Sequence, residues 1–171
     1  MDTENGKLTR VLALYPSASG FGYAVFEGEK EAIAFGVKVI ETDKNKQSMR
    51  DMKTMIEAYQ PDVIVLEDYL GEGSHKSKRV QTLIESIIGF VHTKQMKTRC
   101  YSRAKIRGTF TEVGAFNKQE IAEAIVSDFP EFGPHLPPKR SIYKPESARM
   151  SIFDAAALAM TYYFFENGGK A

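Results

Sequence analysis

Two short unbroken apolar runs, Val11-Leu-Ala-Leu-Tyr15 and Val63-Ile-Val-Leu66, constrain this chain most. Neither alternates apolar with polar as a half-exposed strand does, so both read as strands buried on both faces, the second as a central parallel strand. The first runs into the turn residues Pro16-Ser-Ala-Ser-Gly20. Phe21 to Glu27 and Glu31 to Ile40, separated by Gly28-Glu-Lys, read as two antiparallel strands that follow it.

Helical spacing appears between and after these runs. Met49, Met52, Ile56 and Tyr59 recur at helical intervals before Pro61 closes the element. Val80, Leu83, Ile84, Ile87, Ile88 and Val91 mark a strongly amphipathic helix. Thr98 to Arg103 reads as a fifth strand, and Asn117 with Glu120 three residues on reads as a helix start. Residues 130 to 145 hold five of the seven prolines and are expected to form an extended loop. A last helix is expected from about Ser147 to Phe165. The sum is an α/β domain over residues 10–167, a five-stranded mixed sheet flanked by helices, with short tails at 1–9 and 168–171.

At 171 residues and 43% hydrophobic, the chain can bury a core. The single Cys100 excludes an intrachain disulfide, and no apolar stretch suits a signal segment or a membrane span. A cytoplasmic protein with no membrane partner is expected. The formal net charge of +1 conceals an asymmetry. Residues 1–70 carry 8 basic and 12 acidic side chains, residues 71–110 carry 9 and 2, and residues 111–171 carry 6 and 8.

Two acids stand out by position. Glu67 ends the second buried run, where open α/β sheets place functional groups, and an ionised group there is costly to bury unless something binds it. Asp154 interrupts an otherwise small, apolar helix face, Ser151-Ile-Phe-Asp-Ala-Ala-Ala-Leu-Ala. Each also has an ordinary structural reading, a solvated strand end for Glu67 and a backbone-bonded boundary residue for Asp154. In the basic segment, Gly71-Glu-Gly-Ser-His-Lys-Ser-Lys-Arg79 suits a mobile loop beside Glu67. Lys76, Lys78, Arg79, Arg103, Lys105 and Arg107 are candidate phosphate contacts, and Tyr69 offers a ring for a splayed base. Alternatively, these charges only solvate a helix flank.

Four segments, in order, resemble one known family, the RuvC-like Holliday junction resolvases of the ribonuclease H-like superfamily. Val11 to Val25 is similar to its first hairpin, and Asp62-Val-Ile-Val-Leu-Glu67 to a strand ending in Glu. Thr111-Glu-Val-Gly-Ala-Phe-Asn-Lys-Gln-Glu120 resembles a segment with a basic residue near the site, which makes Lys118 its counterpart. Phe153-Asp-Ala-Ala-Ala-Leu-Ala159 resembles the closing helix with its catalytic Asp. The resemblance implies a ribonuclease H-like fold, branched or duplex DNA as partner, a homodimer, and phosphodiester hydrolysis with Mg2+ or Mn2+. Glu67 and Asp154 would be metal ligands, and Lys118 would neutralise the scissile phosphate.

The chain departs from that pattern at two positions. Tyr15 stands where the family's first-strand acid is expected, and Ser151 where a further acid or His is expected. A phenol is a poor magnesium ligand at neutral pH. Asp68 and Glu146 are the acids available in compensation. The alternatives are therefore a rearranged nuclease, a nuclease that needs a partner, and a DNA-binding or scaffold relative that holds no metal and no longer cuts. A phosphotransferase of the actin or sugar-kinase type shares only the first hairpin pattern.

Overall fold

A computed structural model of the chain describes residues 6–141 and 143–170. Residues 1–5 and 171 of the expected tails, and one position in the proline-rich loop, lie outside the described residues. The strands are β1 (Arg10–Ser17), β2 (Gly20–Glu27), β3 (Ala32–Val39), β4 (Val63–Glu67) and β5 (Lys97–Tyr101). They form one mixed sheet in the order β3-β2-β1-β4-β5, with the first three antiparallel and β4 and β5 parallel to β1.

The helices are α1 (Lys44–Tyr59), α2 (Lys78–Thr93), α3 (Arg103–Thr111), α4 (Lys118–Asp128) and α5 (Met150–Glu166). The helix expected from Asn117 is α4, and Asn117 caps it by accepting from the Glu120 amide. The closing helix starts at Met150, three residues later than expected. The proline-rich stretch is not all extended, because Pro130–His135 forms a 3-10 helix whose Phe132 stacks on Phe35 at 3.9 Å.

One helix was not expected at all. Residues 103–111 leave β5 as α3, capped by Ser102, which accepts from the Lys105 amide at 3.2 Å. Arg103 is therefore the first residue of a helix and not the end of a strand. Nine residues with only Ile106 and Phe110 turned to the core give too weak a periodicity to find by pattern.

Strand alternation divides the core between the two faces of the sheet. Val11, Ala13 and Tyr15, with Val63 and Val65, face α5; Leu12 and Leu14, with Ile64 and Leu66, face α1 and α2. The parallel register pairs Val11 with Val63 and Ala13 with Val65. Two residues further along, that register brings Tyr15 and Glu67 side by side on the α5 face.

α5 is apolar almost all round and is buried accordingly. It reaches the sheet where Gly22, the β2 partner of Tyr15, presents no side chain. A Cβ on Gly22 would lie 2.1 Å from the Ser151 carbonyl oxygen, so this glycine sets the depth at which α5 seats. That depth brings Asp154, one turn further on, to the ends of β1 and β4.

Candidate functional site

Strand parity, the α5 approach and the α3 N-terminus bring Tyr15, Glu67, Asp154 and Arg103 together at the carboxyl ends of the parallel strands. All four are buried. Arg103 Nη2 donates to Glu67 Oε1 at 2.9 Å and to the Tyr15 hydroxyl at 3.0 Å. Its Nη1 lies 3.6 Å from Asp154 Oδ1, so the guanidinium stands between the two carboxylates. Lys118, at the first position of α4, lies 3.3 Å from Asp154 Oδ2, 3.3 Å from Glu146 and 3.5 Å from the Tyr15 hydroxyl. Lys76 lies 3.7 Å above the Tyr15 ring centre, 3.8 Å from Glu67 Oε2 and 3.3 Å from the Pro16 carbonyl. Tyr15 is thus the hub of three cations, two of them held by its hydroxyl and one over its face.

Burial dominates the protonation of this cluster. It pushes the Tyr15 phenol well above its ordinary range, with Asp154 adding to the shift and Arg103 opposing it, so Tyr15 is a neutral hydroxyl at any working pH. Burial also raises the Asp154 carboxyl, against the pull of Lys118 and Arg103. The Lys76 ammonium is lowered by burial from 10.5 to about 8, although Glu67 and Asp154 favour its charge. For Arg103 burial works against the charge, but Asp154, Tyr15 and Glu67 together outweigh it and raise its pKa.

A cavity of about 370 Å³ opens beside these groups. Lys76, Arg103, Arg107 and Lys118 line it, with Glu67 as its one acidic wall residue and Tyr15, His75, Phe116 and Asn117 completing much of the rest. The loop from Asp68 to Ser77 shapes one side and is pinned, not free. The Ser74 hydroxyl donates to the Asp68 carbonyl at 2.8 Å, and the Ala104 amide donates to the Glu72 carbonyl at 3.1 Å. Gly71 permits this, since a Cβ there would meet the Ser102 side chain at 2.4 Å.

The remaining expected site residues divide clearly. Asp68 accepts from the Leu70 amide at 3.1 Å, which spends its carboxylate on its own turn and not on the cavity. Ser151 is buried against Gly22, away from the cavity wall. Glu146 reaches the site only through Lys118. Arg79 bonds Asn45 at 2.9 Å and the Ser17 carbonyl at 2.8 Å, so it ties α2 to α1 and β1 and is not part of the cavity wall. Tyr69 donates its hydroxyl to Glu85 on α2. Lys78 is exposed at the start of α2, and Lys105 lies over the Phe165 ring, both outside the cavity wall. His75 and Phe116 line the cavity without having been singled out; Phe116 lay within the segment that carries Lys118, two residues before it.

The metal centre implied by the sequence resemblance does not fit these residues. Two divalent ions need several carboxylates converging from different segments. Among the described residues no group of three or more His, Cys, Asp or Glu side chains is placed to hold a metal ion. The two acids that do converge already share a guanidinium.

Comparison with known proteins agrees with this topology. No family model matches the chain. The crossover junction endodeoxyribonuclease RuvC of Prochlorococcus marinus subsp. pastoris is 26% identical over 125 residues, covering 68% of this chain and 80% of the relative. The RuvC of Thermus thermophilus, solved in complex with a Holliday junction substrate, superposes with a TM-score of 0.64 at 11% identity over 94% of this chain and 97% of its own. The yeast mitochondrial Holliday junction resolvase Ydc2 superposes with a TM-score of 0.56 at 12% identity over 94% and 80%. The five-stranded mixed sheet with helices on both faces is the ribonuclease H-like fold. The chain thus shares this fold with RuvC and Ydc2 and is similar in sequence to the Prochlorococcus RuvC.

Proposed function

We propose that this protein acts on Holliday junctions as a RuvC-like resolvase, gripping the branched DNA at the carboxyl ends of β1 and β4. The observation that carries this reading is the cavity there, with four cations and a single carboxylate on its wall. Phosphate contacts supply most of the affinity for DNA, and fixed cations in a concave site supply such contacts. The junction as ligand is supported by the Thermus and yeast proteins that share the fold and by the Prochlorococcus relative. A homodimer belongs to the same reading, because symmetric treatment of a four-way junction takes two copies, and a cytoplasmic location is proposed with it. Among the described residues no helix is long and apolar enough to cross a membrane.

A second reading, recognition of the junction without metal-dependent cutting, is favoured by one specific observation: Arg103 stands between Glu67 and Asp154. A labelled four-way junction, beside plain duplex of equal length, separates the readings. Preferential retention of the junction at moderate salt supports both. Cleavage with magnesium or manganese that Glu67→Ala abolishes selects the first, and retention without cleavage selects the second. Equal retention of duplex and junction would remove the junction from the proposal.

A further inference from the structure

The three outer cations of the site have unused hydrogen-bonding capacity. A charge-assisted N–H···O bond is about 2.7–2.9 Å long. Arg103 makes one such bond, at 2.9 Å to Glu67. Among the described residues Lys118 reaches no oxygen closer than 3.3 Å, and neither does Lys76. Arg107 has no acidic partner among the described residues. All three line the cavity. Asp154, which takes charge from Arg103 and Lys118, is buried and does not line it.

A site that holds divalent cations needs a negative wall, and this wall is positive. Tyr15 contributes a neutral hydroxyl in place of a carboxylate, and a metal bridging Glu67 and Asp154 would have to expel Arg103. Lys76 and Arg103 are held about nine-tenths buried, with relative side-chain exposures of 10% each. Arg103 has Glu67 and Asp154 against it, whereas the nearest carboxylate oxygen to Lys76 lies at 3.8 Å, and a buried ammonium so loosely paired is unfavourable unless a further anion completes its shell. Phe116 and Ile121 add an apolar rim, which suits an organic phosphate ester over a bare inorganic ion.

We propose that the cavity is an anion site, in which Lys76, Arg107 and Lys118 seat a DNA backbone phosphodiester directly while Arg103 occupies the place a bridging metal would need. This rests on the second reading above, junction recognition without metal-dependent cutting, and specifies its chemistry. Arg103 serves as a positioning residue that neutralises the two acids, and the outer three cations touch the phosphate.

The test uses the full chain and inorganic phosphate as probe, with chloride at matched ionic strength as control. Phosphate is expected to raise the melting temperature by a few degrees and to displace a labelled four-way junction more than chloride does. Arg107→Ala, at an exposed position whose loss spares the fold, should weaken phosphate about tenfold, and Lys76→Met should weaken it similarly. Mn2+ added to the wild type should keep the electron paramagnetic signal of the free ion. If the junction binds but phosphate neither stabilises nor competes, the anion site is wrong and the DNA reading stands. If phosphate binds and the junction does not, the anion site stands and the DNA reading falls. A phosphate effect that survives both substitutions places the anion elsewhere and overturns the proposal. So does bound Mn2+ that Glu67→Gln releases.

Discussion

The two ends of the parallel strands carry similar charges and use them differently. At the amino ends, Arg10 pairs with Glu27, donates from its guanidinium to the Tyr59 carbonyl at 2.6 Å, and donates from its backbone amide to the Asp62 carboxylate at 2.8 Å. These three Arg10 contacts are short and exposed or part-buried, and together they fasten β1 to β2 and to the turn before β4. At the carboxyl ends, Lys76, Arg103 and Lys118 crowd around one phenol and two acids, mostly at longer range and beside an open cavity. Charges that only hold a fold together saturate one another. Charges kept under-satisfied at a cavity are poised for something that arrives.

This contrast can be broken most severely by removing Glu67. Glu67→Leu leaves Arg103 and Lys76 buried beside one remaining acid, and a loss of about 3–5 kcal/mol is expected in urea unfolding. Glu27→Ala, which breaks the part-exposed pair at the opposite end, should lose only about 1 kcal/mol. If the two losses are equal, the carboxyl-end cluster is no more than an ordinary ion pair.

Next in size is Gly22→Ala. The new methyl collides with the Ser151 carbonyl, and α5 must move away from β2 and carry Asp154 with it. The strain corresponds to about 1–3 kcal/mol, with junction affinity falling alongside stability. Gly36→Ala, on the neighbouring strand, would meet instead the Tyr23 side chain and should leave junction affinity unchanged.

Smaller again are the separate cation deletions. Lys118→Met and Lys76→Met are each expected to reduce the slope of log affinity against log salt by about 1 in junction titrations. Arg10→Met should leave that slope untouched. The smallest effect is that of pH. Lys76 is charged below about 8 and neutral above it, so junction affinity should decline as pH rises through that value, and Lys76→Met should flatten the decline. Stability moves the opposite way. The unfolded lysine holds its proton up to about 10.5, so the unfolded state binds more protons between about 8 and 10.5 and stability rises across that window. Chemical denaturation at several pH values checks the sign.

Much of this was legible in the sequence, and the reasons are local. The buried runs ending at Tyr15 and Glu67 announced two strands covered on both faces, because continuous apolar runs need such cover. Asp154 was conspicuous among alanines, and Asn117 with Glu120 gave the start of α4 and so the place of Lys118. The cation cluster was not legible, since it depends on α3. Arg103 looked like one more basic residue in a long basic segment until a short, weakly periodic helix turned it inward between the acids. Arg79 is the reverse case, a basic residue of that segment whose donors are spent on Asn45 and Ser17. Charge counts along a chain cannot separate these cases, because burial and partner distance are set by tertiary contacts.

The central claim is that this site meets DNA with its own cations. A crystal structure of the protein with a four-way junction, grown in manganese and measured at the manganese edge, tests it most directly. The account predicts a backbone phosphate within hydrogen-bonding distance of Lys76, Arg107 and Lys118, with Arg103 still between Glu67 and Asp154 and no anomalous peak there. A manganese peak bridging Glu67 and Asp154, with Arg103 displaced, would contradict it.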